Sequence, residues 1–298
     1  MKIAVVGMGL MGGSLCKAIK HHTSHTVLGL DTDSHTVARA LACGAIDRAI
    51  VPEELAECDI TFLCLFPDTT ISFVKEYANC FKSGSIVADI CGVKQAIVDA
   101  LEPLFLPTGV RYVGTHPMAG REFSGFAYAD DRIFQGASFI LTPTAKTCPL
   151  ALHTLHDLAE SLGFGRIVTS TPADHDKSIA FTSQLAHVVS NAYIKSPTLW
   201  NESGFSAGSF QDLTRVAKLN EEMWSTLFLL NRPALLFELD TIIGHLQEYR
   251  AALADGDKDT LRELLKDGRI RKELSLIGDA TPPEEEKEDG LAMHKQLD

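Results

Sequence analysis

One histidine, His116, has the setting expected of a catalytic residue. It lies in the stretch Gly114 to Gly120, GTHPMAG, directly after a predicted strand over Arg111–Val113. The following Pro117 biases His116 towards extended backbone, and open α/β sheets bind ligands at the ends of their strands. An imidazole held there can accept a proton or a hydrogen bond near neutral pH. A lone histidine is more often structural, but the flanking glycines and a cofactor motif in the same domain favour catalysis.

A glycine-rich turn follows the first predicted strand, Ile3–Val6, and opens a helical stretch. Gly7 permits a tight turn, Gly9 lets the backbone approach a pyrophosphate and Gly12 lets the helix pack closely against the sheet. The first amides of that helix then face the phosphates. The sequence predicts a dinucleotide-binding turn formed by Gly7, Gly9, Leu10, Met11 and Gly12.

Asp31 ends the second predicted strand, Val27–Leu30, about 20 residues after the glycines, as in dinucleotide-binding units. A carboxylate at this point can accept hydrogen bonds from the adenosine ribose, and it repels a 2′-phosphate. Because the next cation in the chain is Arg39, NAD is predicted in preference to NADP. The alternative is that Asp31 caps the helix that begins near Asp33, and the two roles are compatible.

The first part of the chain alternates β-rich runs with amphipathic stretches, a pattern typical of a mostly parallel sheet covered on both faces. Phe66 and Pro67 follow one of these runs and are expected beside the nicotinamide half of the cofactor, through backbone and shape. The runs are Ile3–Val6, Val27–Leu30, Ile60–Leu65, Ser85–Ile90, Arg111–Val113, Ser138–Leu141 and Arg166–Val168. Residues 1–169 are therefore predicted to form a Rossmann-type α/β domain that binds NAD.

Residues 170–279 have helical periodicity and almost no β-rich run, so an all-α domain is predicted to follow the α/β domain. Ser170 or Thr171, with Pro172, is expected to start a helix that ends near Lys195. The other predicted helices are Phe210–Lys218, Asn220–Ala254 with a break near Asn231-Arg232-Pro233, and Lys258–Leu276. Residues 280–298 are acidic, lack apolar periodicity and are expected to be a flexible tail.

Composition excludes several classes of partner. The chain has 298 residues, a formal net charge of −12 and no basic stripe, which argues against nucleic acid. Its seven cysteines show no C-x-x-C pair and no Cys/His cluster, so no metal site is expected. No apolar stretch reaches the roughly 18 residues of a membrane span. A cytoplasmic protein without membrane contact is predicted.

Several motifs together give the chain a resemblance to the prephenate dehydrogenase family, which includes arogenate and cyclohexadienyl dehydrogenases of tyrosine biosynthesis. The stretch from Gly114 to Gly125, GTHPMAGREFSG, resembles the family signature, and the similarity extends to about residue 275. The other matching stretches are the glycine-rich turn, Asp89–Lys94, Asp174–Asp176, Thr182–His187, Gly208–Arg215 and Trp224. The resemblance implies that C4 of the substrate ring gives a hydride to NAD⁺, the ring carboxylate leaves as CO₂ and aromatisation drives the reaction.

The resemblance also implies roles for individual residues. His116 would hydrogen-bond the C4 hydroxyl and assist its deprotonation, and Arg215 would grip a substrate carboxylate through a bidentate pair. Ser183 and His187 lie four apart on the predicted helix and share a face, which the family places in the substrate pocket, with His187 near the side-chain carboxylate or pyruvyl end. Gly208 lies in the Arg215 motif, and Trp224 is expected as a wall behind the pocket.

From the residues alone, these positions have plainer interpretations. Arg215 would be a surface helix arginine, His187 a buried helix histidine and Trp224 a core aromatic. The roles of Arg121, which could meet a keto-acid carboxylate or point to solvent, and Glu122, which could orient local backbone or contact the nicotinamide side, stay open.

The chain departs from the family pattern at Gly92. Many members have a Gly-Ser-Val-Lys stretch whose hydroxyl helps position the catalytic histidine, whereas this chain has Cys91-Gly92-Val93-Lys94. Either a water or Cys91 replaces that hydroxyl, or His116 is held more loosely. Cys91 is not expected to be a nucleophile, because hydride transfer with decarboxylation needs no covalent intermediate.

Other functions remain to be weighed against prephenate oxidation. Arogenate, which has an amino group where prephenate has a keto group, is the first alternative. A 3-hydroxyacid-type dehydrogenase would use a lysine such as Lys177 or Lys195, and a non-catalytic NAD-sensing protein would not need both His116 and Arg215. A homodimer through the helical domain is expected from the family and from the apolar excess of its helices.

Overall fold

The computed structural model describes residues 1–120 and 123–276 of the chain. The interpretations of Arg121, Glu122 and the 280–298 tail lie outside these described residues. The chain separates into two compact units, Met1–Glu238 and a second unit that begins at Leu239. The described helices are too short or too polar to cross a bilayer.

The first unit is built on a sheet of eight strands. In chain order they are β1 Lys2–Val6, β2 Thr26–Leu30, β3 Arg48–Ala49, β4 Ile60–Leu63, β5 Ile86–Asp89, β6 Arg111–Met118, β7 Ser138–Thr142 and β8 Arg166–Thr169. Their order across the sheet is β3-β2-β1-β4-β5-β6-β7-β8, and every neighbouring pair is parallel except β6 with β7. The strand order reverses beside β1, where Rossmann-type sheets open a crevice for a ligand.

Helices follow most strands and then dominate the rest of the chain. They are α1 Leu10–His22, α2 Ser34–Ala42, α3 Pro67–Tyr77, α4 Gln95–Phe105, α5 Pro149–Ser161, α6 Pro172–Ile179, α7 Ala186–Tyr193, α8 Gly208–Thr214, α9 Glu221–Leu230, α10 Arg232–Asp255 and α11 Lys258–Ser275. A π-helical segment, Ala180–Leu185, joins α6 to α7, and a short 3₁₀ turn, Arg215–Ala217, follows α8.

Two apolar clusters cover the two faces of the sheet. Along β1, Ile3 and Val5 belong to one cluster and Ala4 and Val6 to the other. Successive strand residues point to opposite faces, so this division confirms the prediction that both faces of the sheet are buried. The predicted fold class, a Rossmann-type α/β domain followed by helices, is confirmed.

Strand β6 is longer than the sequence predicts. The predicted strand ended at Val113, but the observed strand continues to Met118 by pairing antiparallel with β7, from Gly114 opposite Thr142 onwards. Glycine and proline have low strand propensity, and pairing with β7 overrides it. His116 consequently lies within a strand, and not just after one.

The predicted helix starts and breaks in the α-helical part are largely confirmed. The Thr171 side chain accepts from the Asp174 N–H and caps α6, and the chain breaks at Asn231 between α9 and α10. The helix predicted to reach Lys195 ends at Tyr193 and contains the π-helical segment. That segment has one wider turn, which sequence periodicity does not reveal.

Candidate active site

The glycine-rich turn connects β1 to α1, and two of its positions have no room for a side chain. Gly7 has φ of 87°, and a Cβ there would lie 2.7 Å from the Cys64 carbonyl oxygen. A Cβ on Gly12 would lie 1.9 Å from the Gly7 carbonyl oxygen. A Cβ on Gly9 would meet nothing within 4 Å. The fold therefore requires glycine at the first and third positions, and the second borders the open space that a pyrophosphate would occupy.

The N-terminus of α1 is suited to an anion. Gly9 supplies no side-chain cap, and the first turn contains no acidic residue. The first amides of a helix lack intrahelical partners, so they are available to phosphate oxygens. Leu10 is buried at the start of the helix, and Met11 packs against the apolar cluster on one face of the sheet.

Asp31 is fixed beside the turn at the end of β2. Its carboxylate accepts from the Met8 N–H at 2.6 Å and from the Asp33 N–H at 2.9 Å. The cap of α2 is Asp33, whose side chain accepts from the His35 and Thr36 amides. Asp31 is thus not that helix cap, and its position next to the glycines fits a ribose-binding carboxylate.

Phe66 and Pro67 lie beyond β4, the strand next to β1. Phe66 directly precedes α3 with its ring 60% exposed, and Pro67 is buried in the first turn. An exposed ring at this edge can contact a flat ligand ring, while Pro67 fixes the backbone. The glycine turn, Asp31 and this aromatic edge together form a set of residues that fits a dinucleotide.

His116 belongs to a chain of hydrogen bonds with two residues of α6. Its Nδ1 lies 2.9 Å from Nε2 of His175, and Nδ1 of His175 lies 2.7 Å from the Asp176 carboxylate. His116 is half-buried, whereas His175 and Asp176 are buried. The sequence motif around positions 174–176 therefore contacts the predicted catalytic residue directly, which sequence reasoning missed.

Asp176 is anchored at the N-terminus of α4. Its two carboxylate oxygens accept from the backbone N–H groups of Lys94, at 2.7 Å, and Gln95, at 2.9 Å. A negative charge is favoured at a helix N-terminus. This anchor joins α6 to the segment in which the chain departs from the family pattern.

A buried ion pair lies against Thr115, the residue before His116. The ammonium of Lys94 pairs with Asp89 and donates to the Thr115 carbonyl at 2.6 Å, and the Tyr112 hydroxyl donates to Asp89 at 2.7 Å. Lys94 and Asp89 are both fully buried. The Thr115 carbonyl and the Tyr112 hydroxyl provide the further hydrogen bonds that a buried ion pair needs.

The surroundings of His116 favour its neutral form. Burial lowers the pKa of His116 well below the ordinary histidine value, and the neighbouring His175 and the Lys94 ammonium lower it further. Burial penalises the charged imidazolium and nearby positive charge repels it. An unprotonated imidazole that can accept a proton is the form a general base needs.

Gly92 faces the other ring nitrogen of His116. A Cβ built on Gly92 would lie 3.9 Å from His116 Nε2 and 3.8 Å from the Leu227 side chain. Cys91 does not take the place of a hydroxyl at this point: its thiol contacts the Thr70 hydroxyl and the Leu65 carbonyl. Burial raises the pKa of the Cys91 thiol to about 12, so it stays protonated.

A separate cavity of about 290 Å³ brings together the predicted substrate residues Ser183, His187 and Arg215. His187 Nδ1 donates to the Ser183 carbonyl at 2.9 Å, and Trp224 stacks on the His187 ring with centroids 3.7 Å apart. The cavity is lined by Thr182, Ser183, Ala186, His187, Val189, Asp212, Leu213, Arg215 and Val216.

Two predicted residues lie outside this lining, and one lining residue was missed. Trp224 backs His187, as expected of a wall, and Gly208 is exposed at the start of α8. Asp212 lines the cavity although sequence reasoning assigned it no role. It lies one helical turn before Arg215, and this spacing is the signal that could have identified it.

Asn231 connects Asp176 to the π-helical segment from which Ser183 lines the cavity. Its side-chain amide donates to the Asp176 carbonyl and to the Gln184 side chain, both at 2.8 Å. Gln184 in turn donates to the Leu227 carbonyl at 3.2 Å. The break between α9 and α10 thus places a buried amide where it holds α6 and the π-helical segment together.

Comparison with known proteins confirms the resemblance noted in the sequence. Residues 15–169 match the family model for the prephenate dehydrogenase nucleotide-binding domain, and residues 171–267 match that for the prephenate dehydrogenase dimerization domain. A cyclohexadienyl dehydrogenase from Zymomonas mobilis subsp. mobilis is 33% identical over 291 residues, which cover 94% of this chain and 98% of the relative.

Solved structures give the same result. The Synechocystis arogenate dehydrogenase has a TM-score of 0.79 at 29% identity, covering 92% of this chain and 99% of its own. The Aquifex aeolicus prephenate dehydrogenase, solved with hydroxyphenyl propionate and NAD⁺, has a TM-score of 0.82 at 27% identity, covering 91% and 97%. The cofactor of the chain is NAD. The matches extend over nearly all of its length, and the chain belongs to the prephenate dehydrogenase family of NAD-dependent oxidoreductases.

Proposed function

We propose that the protein catalyses the NAD-dependent oxidative decarboxylation of prephenate to 4-hydroxyphenylpyruvate in tyrosine biosynthesis. The observation that carries the proposal is the half-buried imidazole of His116, hydrogen-bonded to His175 through Nδ1 and with a lowered pKa, in the same unit as the dinucleotide-binding turn. Membership of the family supports the same class of reaction.

The reaction removes a hydride and CO₂ from the substrate ring, and the C4 oxygen gives up a proton and later takes one back. The C4 hydroxyl loses its proton, the C4–H bond gives up its hydrogen with both electrons, and the bond to the ring carboxylate breaks as CO₂ leaves. NAD⁺ supplies the hydride acceptor when bound. His116 accepts the hydroxyl proton at Nε2, and its lowered pKa keeps that nitrogen unprotonated beforehand. The electrons of the broken C–C bond complete the aromatic ring and leave the C4 oxygen as a phenolate, which takes the proton back from His116 Nε2 to give the phenol.

The cavity of Ser183, His187 and Arg215 is proposed to hold the substrate carboxylates and side chain. A guanidinium pairs with a carboxylate through two parallel hydrogen bonds, which hold and orient it. His187 donates from Nδ1 to the Ser183 carbonyl. Its Nε2 is therefore not used in that bond, and we propose that it hydrogen-bonds the pyruvyl end of the substrate. Gly208 contributes indirectly, because it begins the helix that ends next to Arg215.

Arogenate is the second candidate substrate, and Asp212 is the observation that favours it. This carboxylate lines the same cavity as Arg215. A cation and an anion in one cavity suit a substrate side chain that carries both a carboxylate and an ammonium group. A lysine-dependent hydroxyacid dehydrogenase has less support, since Lys177 and Lys195 are both exposed and Lys177 pairs with Asp174.

The test is a two-by-two assay of purified protein, with prephenate or arogenate as substrate and NAD⁺ or NADP⁺ as cofactor, read at the reduced-nicotinamide absorbance band. Turnover of prephenate with NAD⁺ is the expected result. If only arogenate is turned over, the substrate is arogenate and the proposed reaction type is unchanged. No turnover in any arm, from folded protein that binds NAD⁺, would overturn the proposal.

Variants separate catalysis from binding in this assay. His116→Asn should abolish turnover and leave NAD⁺ affinity unchanged, because the side chain is proposed to act on the substrate proton. His153→Asn is the matched control, since His153 is exposed on α5. Loss of NAD⁺ binding in His116→Asn would indicate a structural role instead.

We also infer that the protein is a homodimer and that residues 170–279 form its substrate and dimerisation domain, with residues 1–169 as the NAD-binding domain. The match of residues 171–267 to a dimerization domain supports this arrangement. Exposed apolar side chains on α9 and α10, among them Leu229 and Leu236, supply surface for a second copy of the chain.

A further inference from the structure

The hydrogen bonds behind His116 determine which of its ring nitrogens carries a proton. Asp176 accepts from two backbone amides at the start of α4 and from Nδ1 of His175. Each of its two oxygens accepts from one of those amides, and an ionised carboxylate only accepts hydrogen bonds. The proton between Asp176 and His175 therefore lies on Nδ1 of His175.

The state of His175 then decides the state of His116. A neutral imidazole that donates from Nδ1 has an unprotonated Nε2. This nitrogen lies 2.9 Å from Nδ1 of His116, so His116 must donate from Nδ1 to complete the bond. Nε2 of His116 is left unprotonated. The Lys94 ammonium further disfavours a positive charge on His116.

We propose that His175 and Asp176 are positioning residues, which fix His116 as the Nδ1–H tautomer with Nε2 directed at the substrate hydroxyl. The proposal rests on the proposed function for the role of that nitrogen, and on the geometry alone for the tautomer. Neither residue is required to touch the substrate. Their effect passes through the ring of His116.

This positioning is needed because Gly92 does not provide the side-chain hydroxyl that many family members have at this point. Glycine has no hydroxyl with which to orient Nε2 of His116, although the space for one is present. A histidine without such partners favours the Nε2–H tautomer in water, which would present a donor to the substrate hydroxyl instead of an acceptor. The bond to His175 reverses that preference and holds the ring plane.

The same chain of bonds stabilises His116 after it takes the proton. The imidazolium keeps its Nδ1–H bond to His175, and His175 stays bonded to the Asp176 anion. A buried carboxylate behind a catalytic histidine acts in this way in hydrolases that use a serine, histidine and aspartate. Here a second histidine is inserted between the carboxylate and the base.

The titratable and charged groups near His116 belong to two elements. His175 comes from α6, with Asp176 behind it, and Lys94 precedes α4 with its ammonium paired to Asp89. A change at His175 therefore alters the tautomer and also the pH at which His116 titrates.

The direct test is the tautomer itself, read from ¹H–¹⁵N spectra of protein with ¹⁵N-labelled histidine in the absence of substrate. The His116 ring is identified by its loss in His116→Asn. The expected wild-type pattern is a protonated Nδ1 and an unprotonated Nε2. A wild-type His116 protonated at Nε2 would overturn the proposal without any variant.

Substitution of His175 adds a kinetic readout. His175→Leu removes the acceptor and should lower kcat by about 10²-fold, the order expected for a misplaced general base, while the Kd for NAD⁺ stays within about twofold because the affected ring acts on the substrate. The acid limb of its pH profile should also shift. His175→Gln can place an amide oxygen near the position of Nε2, so most of the lost rate should return.

Controls keep the outcomes distinct. His153→Leu makes the same change on the exposed face of α5 and should leave rate and tautomer unchanged. A folded His175→Leu protein with wild-type kcat, pH profile and His116 tautomer would overturn the proposal. If the wild-type tautomer is as expected but neither prephenate nor arogenate is oxidised, the positioning stands and the proposed function falls.

Discussion

At the scale of single residues, the base strength of His116 depends on groups that are distant in sequence. Burial lowers its pKa most, followed by the proximity of His175 and then of Lys94. Lys94 is itself held by Asp89, which in turn accepts from Tyr112. The Lys94 ammonium, which this ion pair holds in place, is therefore a nearby positive charge that opposes protonation of the imidazole.

The pH dependence of turnover follows from the direction of this shift. A lowered pKa means that His116 takes up a proton only at a more acidic pH than the ordinary histidine value of 6.5, so the acid limb of kcat should lie below that value. The measurement is kcat with saturating substrates over about pH 5 to 8, where histidine titrates. An acid limb at or above the ordinary value would contradict the assigned environment.

Restoring a hydroxyl at position 92 should improve catalysis. In Gly92→Ser the Cβ has ordinary contact distances of 3.8 to 3.9 Å to its neighbours, and the hydroxyl comes within reach of His116 Nε2. One hydrogen bond of about 0.5–1.5 kcal/mol corresponds to a rise in kcat of roughly twofold to tenfold. Gly92→Ala fills the same space without a hydroxyl and is the matched control. An equal rise in both variants would show that packing, and not the hydroxyl, is responsible.

The sequence predicts some of these residues and misses others for a physical reason. Gly7 and Gly12 are predictable because their role is local: the turn they form spans six residues. His175 and Asn231 bond to partners 59 and 55 positions away. Such contacts depend on how strands and helices are arranged, and no spacing rule along one chain contains that information.

At the scale of elements, irregular parts of the helices provide residues of the site. The π-helical segment Ala180–Leu185 includes Ser183, and the break at Asn231 supplies the buried amide. The break was predictable because Pro233 cannot continue a helix interior. The wide π turn was not, since it changes the hydrogen-bond spacing without changing the residue types.

Removing the amide of Asn231 should loosen both parts of the site. In Asn231→Ala the Asp176 carbonyl and the Gln184 side chain lose a donor inside the protein. The Asp176 carbonyl still accepts from the Ala180 N–H, so the Gln184 side-chain oxygen is the buried group that loses its donor. A buried polar group without a partner costs about 1–3 kcal/mol, so the free energy of unfolding should fall by that order, as measured by denaturant titration. The KM for the substrate should rise because Gln184 directly follows Ser183, which lines the cavity.

Asn201→Ala is the control for this substitution, because Asn201 is exposed in a short turn. It should change neither the free energy of unfolding nor KM. An Asn231→Ala protein as stable as the wild type would contradict the view that this amide holds α6 and the π-helical segment together.

At the scale of the whole molecule, the chain leaves apolar side chains in water that a single copy does not bury. In the second compact unit, Leu246 and Leu253 are 59% and 65% exposed and lie seven residues apart on α10, so they share one face. Exposed apolar surface of this kind marks an interface with another molecule. The family match of this region to a dimerization domain favours a second copy of the same chain.

A double substitution tests this interface. Leu246→Glu with Leu253→Glu places two carboxylates on the shared face, and burying them against their symmetry copies would require desolvation of like charges. Light scattering coupled to gel filtration should then give the mass of a dimer for the wild type and of a monomer for the variant, and the wild-type Tm should rise with protein concentration. Leu150→Glu, at a leucine of α5 that is also 59% exposed, should stay dimeric. A wild-type protein that is monomeric at micromolar concentration would contradict the proposed homodimer, while a variant that remains dimeric would move the interface to another face of the helices.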